Sequence, residues 1–189
     1  DIVIILDEST SIVSGSNGNQ NWESIKNFAV QIADSFPIST DLTKIGILKF
    51  STSANVNQKI DLNRYLTNSD LKSAILAFDL VGGETNIADA LRNGRNMFSQ
   101  SLGSRPDAPH IMILLTDGQA NREAEKTIIE ANMTKAANII IYTIGVTSQI
   151  DENQLKNIAT APSDSHYFYV TEYSKLDSII TDLVAQSCK

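Results

Sequence analysis

The chain is poor in cysteine, histidine, aromatic residues and basic charge. Its single cysteine, Cys188, leaves no pair for an internal disulfide. The thiol is either buried or bonded to a partner outside the chain. Only two histidines occur, His110 and His166. Both flank predicted strands, where a structural role is expected over a catalytic one. No apolar run approaches the ~18 residues of a membrane-spanning helix, so no membrane insertion is expected. Fifteen basic residues face 22 acidic ones, for a net charge of -7. Without a basic patch to offset a phosphate field, generic binding to nucleic acid or anionic membrane is disfavoured. The acidic surplus is compatible with cation binding, although most of it is expected to be solvated surface. There are no repeats, low-complexity tracts or internal linkers, and 189 residues suit a single domain, 1–189. The chain begins inside a strand pattern, as an excised piece of a larger multidomain protein would.

Apolar runs alternate with helical patterns. Strands are expected at 2–6, 45–50, 111–116, 139–146 and 166–170, and 54–62 alternates as a hairpin partner of 45–50. Helices are expected at 22–36, 69–78 (capped by Ser69 or Asp70), 86–98, 123–137, 151–160 and 173–186. Near-continuous apolar strands separated by helices imply an α/β, doubly wound, Rossmann-like open sheet. About six strands are expected, mostly parallel with one antiparallel edge strand, with helices on both faces. Ligands in such sheets sit at the carboxyl ends of the strands. The stretch SGSNGNQN, 14–21, reads as a mobile loop at that rim.

The first strand ends abruptly in chemistry, DIVIILDESTSI. An apolar run ending in Asp-Glu imitates a nucleotide-hydrolysing strand. Its partner, G-x-x-x-x-G-K followed by Ser or Thr, is absent. An aspartyl-phosphate site needs a second Asp where Ser9 stands, and Ser9 and Ser11 lack a G-x-S-x-G elbow. No nucleophile–base pair can be assembled, so the chain is not expected to be an enzyme. A metal site fits better. Asp7, Ser9 and Ser11 alternate along an extended turn and offer one carboxylate and two hydroxyls, hard oxygen ligands suited to Mg²⁺. Two neighbouring loops can complete it: GGETN, 82–86, with Thr85, and LLTDG, 114–118, with Asp117.

These three segments, DIVIILDESTSI, VGGETNIADAL and HIMILLTDGQAN, resemble the motifs of the von Willebrand factor type A domain, in its order and spacing. IIIYTIGV and DSHYFYVTEYSKLDSIITDLVAQSC are similar to its later strands and last helix, so the resemblance covers the whole chain. It implies a metal-ion-dependent adhesion site. Ser9, Ser11 and Thr85 would be hydroxyl ligands, and Asp7 and Asp117 carboxylates often acting through water. The cation would be Mg²⁺, with Mn²⁺ or Ca²⁺ able to substitute, and a ligand carboxylate would complete its shell. Carboxylates held behind water leave the ion residual positive charge for an acidic partner.

The short segment between GVTSQ and DENQL leaves no room for the extra small helix of collagen-binding integrin domains. The chain therefore resembles the matrix branch of the family (collagen VI-like, matrilin-like and coadhesin-like domains). That branch implies a secreted, extracellular adhesion module, with a matrix protein such as collagen bound through an acidic residue. The alternatives are a structural matrix-assembly module whose metal site is not the ligand contact, and an intracellular A domain. It also implies that Cys188 pairs with a cysteine outside this fragment. The expected ligand-binding rim is Glu8, Thr10, Asn17, Glu84, Asn86, Gly118 and Gln119. Glu8 departs from the family's small residue and is expected to point to solvent; otherwise it would bond the loop, repel an acidic ligand or cap the metal. Leu176, Ile179, Ile180, Leu183 and Val184 form an apolar face expected to pack in a fixed position. The one sequon, Asn132-Met133-Thr134, is a candidate glycosylation site.

Overall fold

A computed structural model describes residues 1–14 and 17–187. Five strands form the sheet: β1 (Ile2–Asp7), β2 (Ile45–Phe50), β3 (His110–Thr116), β4 (Ile139–Val146) and β5 (Tyr167–Val170). Their order is β2-β1-β3-β4-β5, and every pairing is parallel. Alternation along β1 sends Ile2, Ile4 and Leu6 into one apolar layer and Val3 and Ile5 into the other. The central strands are thus buried on both faces, which is why they read as unbroken apolar runs.

The first layer is closed by helices α2 (Gly18–Asp34), α3 (Asn68–Leu76) and α7 (Ile180–Ser187). α2 buries Trp22, Ile25, Phe28, Ala29, Ile32 and Ala33, the stripe legible in the sequence. Burial of a side chain such as Phe28 contributes about 2–3 kcal/mol. The second layer is closed by α4 (Ile87–Asn96), α5 (Ala124–Ala136) and α6 (Glu152–Ile158). α4 lies so close to the sheet that a Cβ on Gly94 would meet Ile5 Cδ1 at 2.5 Å. A one-turn helix, α1 (Thr10–Val13), follows β1.

Several expectations are corrected. Segment 54–62 forms no strand among the described residues; it meets β2 through isolated antiparallel bridges, Ile47–Ile60 and Phe50–Ala54, and a hydrogen bond from Asn55 N–H to Lys49 O. Between them Val56 N–H donates to Ala54 O and Gln58 N–H to Asn55 O, so the Asn-rich stretch turns instead of pairing. Among the described residues the sheet therefore has five strands and no antiparallel edge strand. α3 is capped by Thr67, whose hydroxyl accepts from Asp70 N–H at 3.2 Å, and not by Ser69 or Asp70. In the last element, Tyr173–Ile179 is 3₁₀ and only Ile180–Ser187 is α. Leu176 and Leu183 are buried there, with Ile179, Ile180 and Val184 packed against the same layer.

Candidate metal-binding site

β1 and β3 are neighbours, and the chain leaves β1 for β2 on one side and reaches β3 on the other. The crevice at their carboxyl ends is thus the topological switch point of the sheet. Asp7 ends β1, and Asp117 follows β3 directly; both side chains are buried. Asp7 Oδ1 accepts from Ser9 N–H at 2.8 Å, which turns the chain sharply out of the strand. Ser9 is then the N-cap of α1, so Ser11 lies in a helical turn and not in the expected extended one. The two hydroxyls still converge, with Ser9 Oγ 2.9 Å from Ser11 Oγ. Ser11 Oγ donates to Asp117 Oδ1 at 2.7 Å, and Thr116 Oγ1 donates to Asp7 Oδ2 at 2.5 Å.

The third loop is placed by backbone conformation. Gly82 and Gly83 have φ of 80° and 128°, values that favour glycine. Thr10 N–H donates to Gly83 O, and Thr10 Oγ1 accepts from Gly83 N–H, both at 2.9 Å. Thr85 N–H donates to Asn121 Oδ1 at 2.8 Å, while Thr85 O accepts from the N–H groups of Asn121 and Arg122. The Thr85 hydroxyl lies 3.5 Å from where a Cβ on Gly118 would stand, beside the Asp117 loop. Hydrogen bonds thus tie Asp7 to Ser9 and Thr116 and Ser11 to Ser9 and Asp117, with Thr85 beside the Asp117 loop, so three loops bring these oxygen atoms to the same end of the sheet.

The electrostatics are unbalanced. Burial, and then the Asp117 charge, push the Asp7 carboxyl up to about 7, against hydrogen bonds from Thr116 and Ser9. Burial also raises Asp117, opposed by hydrogen bonds from Tyr173 and Ser11. No ion pair among the described residues involves either carboxylate. Nor do any three His, Cys, Asp or Glu side chains among them form a metal-ligand group. The donor set is two carboxylates and three hydroxyls, hard oxygens with buried carboxyl groups and no ion-pair partner among the described residues, and these residues fit a divalent cation.

Glu8 is neither solvent-facing nor part of the rim. It is 1% exposed, and its Oε2 lies 2.8 Å from Lys49 Nζ. Lys49 also donates to Asp79 O at 2.5 Å and lies over the Trp22 and Phe78 rings. Alternation explains this: Glu8 continues the face of Ile4 and Leu6, and Lys49 continues that of Ile47, so both enter the first layer. The Glu8 charge is thereby neutralised before it can act on the cation pocket. Asn86 is also withdrawn from the expected rim. It is buried as the N-cap of α4, accepting from Asp89 N–H and donating to Thr52 O and Glu123 Oε2.

Of the remaining rim residues, Thr10, Asn17, Glu84 and Gln119 are exposed and Gly118 is half-buried. Thr10 is engaged with Gly83, and Glu84 pairs with Arg122 at 3.2 Å. Within the expected loop 14–21, Gly18–Asn21 are the first turn of α2, and Asn21 donates to Ile12 O. Residues 15 and 16 lie outside the described residues, as does Cys188. Asn132 is exposed on α5.

Tyr173 is the functional neighbour that sequence reasoning missed. Its hydroxyl donates to Asp117 Oδ2 at 2.6 Å, and burial foremost drives its own ionisation above the usual phenol range. Nothing in YSKLDS announces this contact, which is made across 56 residues. Thr116 and Asn121 lie inside HIMILLTDGQAN, but their partners are not legible from that segment.

The profile of the von Willebrand factor type A domain matches residues 1–182. The chain belongs to this family. It is 30% identical over 192 residues to matrilin-4 of Mus musculus, covering 100% of this chain and 29% of the relative. It is 32% identical over 190 residues to the collagen alpha-1(XXI) chain of Xenopus laevis, covering 100% of this chain and 18% of the relative. The chain thus spans under a third of the length of these relatives. Among solved structures it is similar to proximal thread matrix protein 1 from the mussel byssus, with zinc occupying the MIDAS motif of that protein. The TM-score is 0.91 at 28% identity, covering 100% of this chain and 48% of that one. A von Willebrand factor type A structure from Catenulispora acidiphila, at 17% identity and a TM-score of 0.75, shares the fold. The chain is an extracellular matrix-type A domain.

Proposed function

We propose that this A domain binds a protein ligand of the extracellular matrix through a divalent cation, Mg²⁺ by preference, with collagen the leading candidate. The observation that carries this reading is the oxygen pocket itself. Two buried carboxylates and three hydroxyls share one crevice, and burial opposes ionisation of both acids. Ser9, Ser11 and Thr85 would supply hydroxyl oxygens and Asp7 and Asp117 carboxylate oxygens. Hard, mostly neutral ligands suit Mg²⁺. A bound cation would offset the charge of the two carboxylates and supply a Lewis-acidic centre able to take an acidic side chain of the partner.

The protein's own residues shape the rest. Glu8 is silenced by Lys49, so it does not repel an acidic ligand. Beside the pocket lies a cleft of about 490 Å³ lined by Ser14, Asn17, Gln20, Asn21, Glu172 and Tyr173. Its amides and hydroxyls suit the polar flanks of an extended chain. The reading is of a binding module and not an enzyme. Ser9 and Ser11 are bonded to each other and to Asp117, and His110 starts β3 at the end opposite Thr116.

Binding to immobilised fibrillar collagen tests the proposal, in Mg²⁺, in EDTA, and with Asp117→Ala in Mg²⁺. Loss of binding in EDTA and with the variant is expected. Binding unchanged in all three would place the contact elsewhere and leave a structural module. A calorimetric Mg²⁺ titration without collagen checks the cation separately.

A further inference from the structure

Helix α5 carries an apolar face that is left exposed among the described residues. Ile128, Ile129 and Met133 are 36%, 58% and 51% exposed, and Ala136 beside them is exposed as well. Side chains at 128, 132, 129 and 133 follow one another within an arc of about 140° at 3.6 residues per turn. Asn132 is exposed within that arc, in the one Asn-x-Ser/Thr sequon of the chain. These apolar side chains flank Asn132 on the exposed side of the helix and are open to whatever that residue carries.

We infer that Asn132 is N-glycosylated and that the glycan lies over the Ile128, Ile129 and Met133 face. The inference rests on the extracellular setting and not on the metal pocket. In the reaction, a lipid-diphosphate-linked oligosaccharide is the donor. The Asn132 Nδ2–H bond breaks and a bond from Nδ2 to the anomeric carbon of the first sugar forms. The anomeric C–O bond to the diphosphate breaks, and the lipid diphosphate leaves with the electron pair and takes up the proton. The first sugar's apolar ring face then lies beside Ile129 and Met133, one turn and one residue away along the helix.

The structure also orders the event in time. Thr134, whose hydroxyl completes the sequon, is fully buried. Its Oγ1 donates to Glu130 O at 2.8 Å and accepts from Arg95 at 3.1 Å. The transferase can read that hydroxyl only before α5 docks, so the folded domain is not an acceptor.

The test is to secrete the chain from cultured animal cells and take intact masses before and after peptide N-glycosidase. A mass loss to the bare chain is expected, with Asn132 converted to Asp in the peptide map and no glycan on Asn132→Gln. Binding of an apolar-surface dye is expected to rise in the folded Asn132→Gln protein relative to the glycosylated one, with unchanged circular dichroism. Thr134→Ser keeps the sequon and is expected to retain the glycan. An unmodified Asn132 in the secreted wild type overturns the inference, as does equal dye binding by the glycosylated and Asn132→Gln proteins. A partner protein on this face would give the first of those results.

Discussion

Replacing Asp7 by Asn removes the most strained charge in the metal-free domain, and its effect can be worked out from the structure. Burial and Asp117 hold the Asp7 carboxyl near 7 against an ordinary value of 3.8. A shift of about 3 units at about 1.36 kcal/mol each makes ionised Asp7 cost about 4 kcal/mol of stability. Its folded value lies above its unfolded one. Its stabilising contribution is therefore complete below the ordinary carboxylate range and is lost as pH rises through about 7.

Asparagine does not titrate and does not lose that contribution. Ser9 N–H can still donate to Oδ1, while Thr116 must accept from the new Nδ2 and turn its proton to Gly118 O, now 3.3 Å away. That rearrangement costs about 1 kcal/mol. In EDTA near pH 8, Asp7→Asn is expected to be about 3 kcal/mol more stable than wild type, falling to about 1 kcal/mol near pH 5. In Mg²⁺ the order narrows or reverses, because only the wild type gains binding energy from the ion. Urea unfolding at the two pH values, with and without Mg²⁺, measures all four terms. A loss of stability in EDTA near pH 8, or a difference independent of pH, refutes the argument.

The Glu8–Lys49 pair makes a second prediction. Glu8→Gln leaves Lys49 charged and buried, at a cost of about 3–5 kcal/mol, whereas Glu8→Gln with Lys49→Met is expected to cost less. Equal losses in urea unfolding would count against a charge pair. Tyr173→Phe removes the hydrogen bond to Asp117 Oδ2, and a loss of about 1–2 kcal/mol in EDTA is expected. The same bond lowers the Asp117 carboxyl, so its titration, followed by carboxyl carbon chemical shifts, should move up. No movement would mean that the tyrosine does not govern Asp117.

Much of this molecule was legible in one dimension. Strands buried on both faces are written as unbroken apolar runs, and the α2 stripe is written at helical spacing. The oxygen donors announced themselves because Asp7, Ser9 and Ser11 interrupt such a run where no core residue would serve. The failures share a cause. Segment 54–62 alternates like a strand, yet Asn55 and Asn57 turn it, and local turn chemistry outweighed the period. Glu8 and Asn86 stand beside the site in sequence, where a polar residue is expected to face the rim. Each instead found a buried partner, one across the sheet and one at a helix start.

The sequence by itself determined the class of fold, the family and the chemistry of the pocket, since these rest on periodicity and on which atoms each loop carries. The tertiary structure decided which charges are free. It paired Glu8 with Lys49, left Asp7 and Asp117 without an ion-pair partner among the described residues, brought Tyr173 to Asp117, and put Asn132 among exposed apolar neighbours. The physical reason is that burial and pairing are properties of neighbours in space. A residue's charge is set by its identity, but its cost is set by what surrounds it.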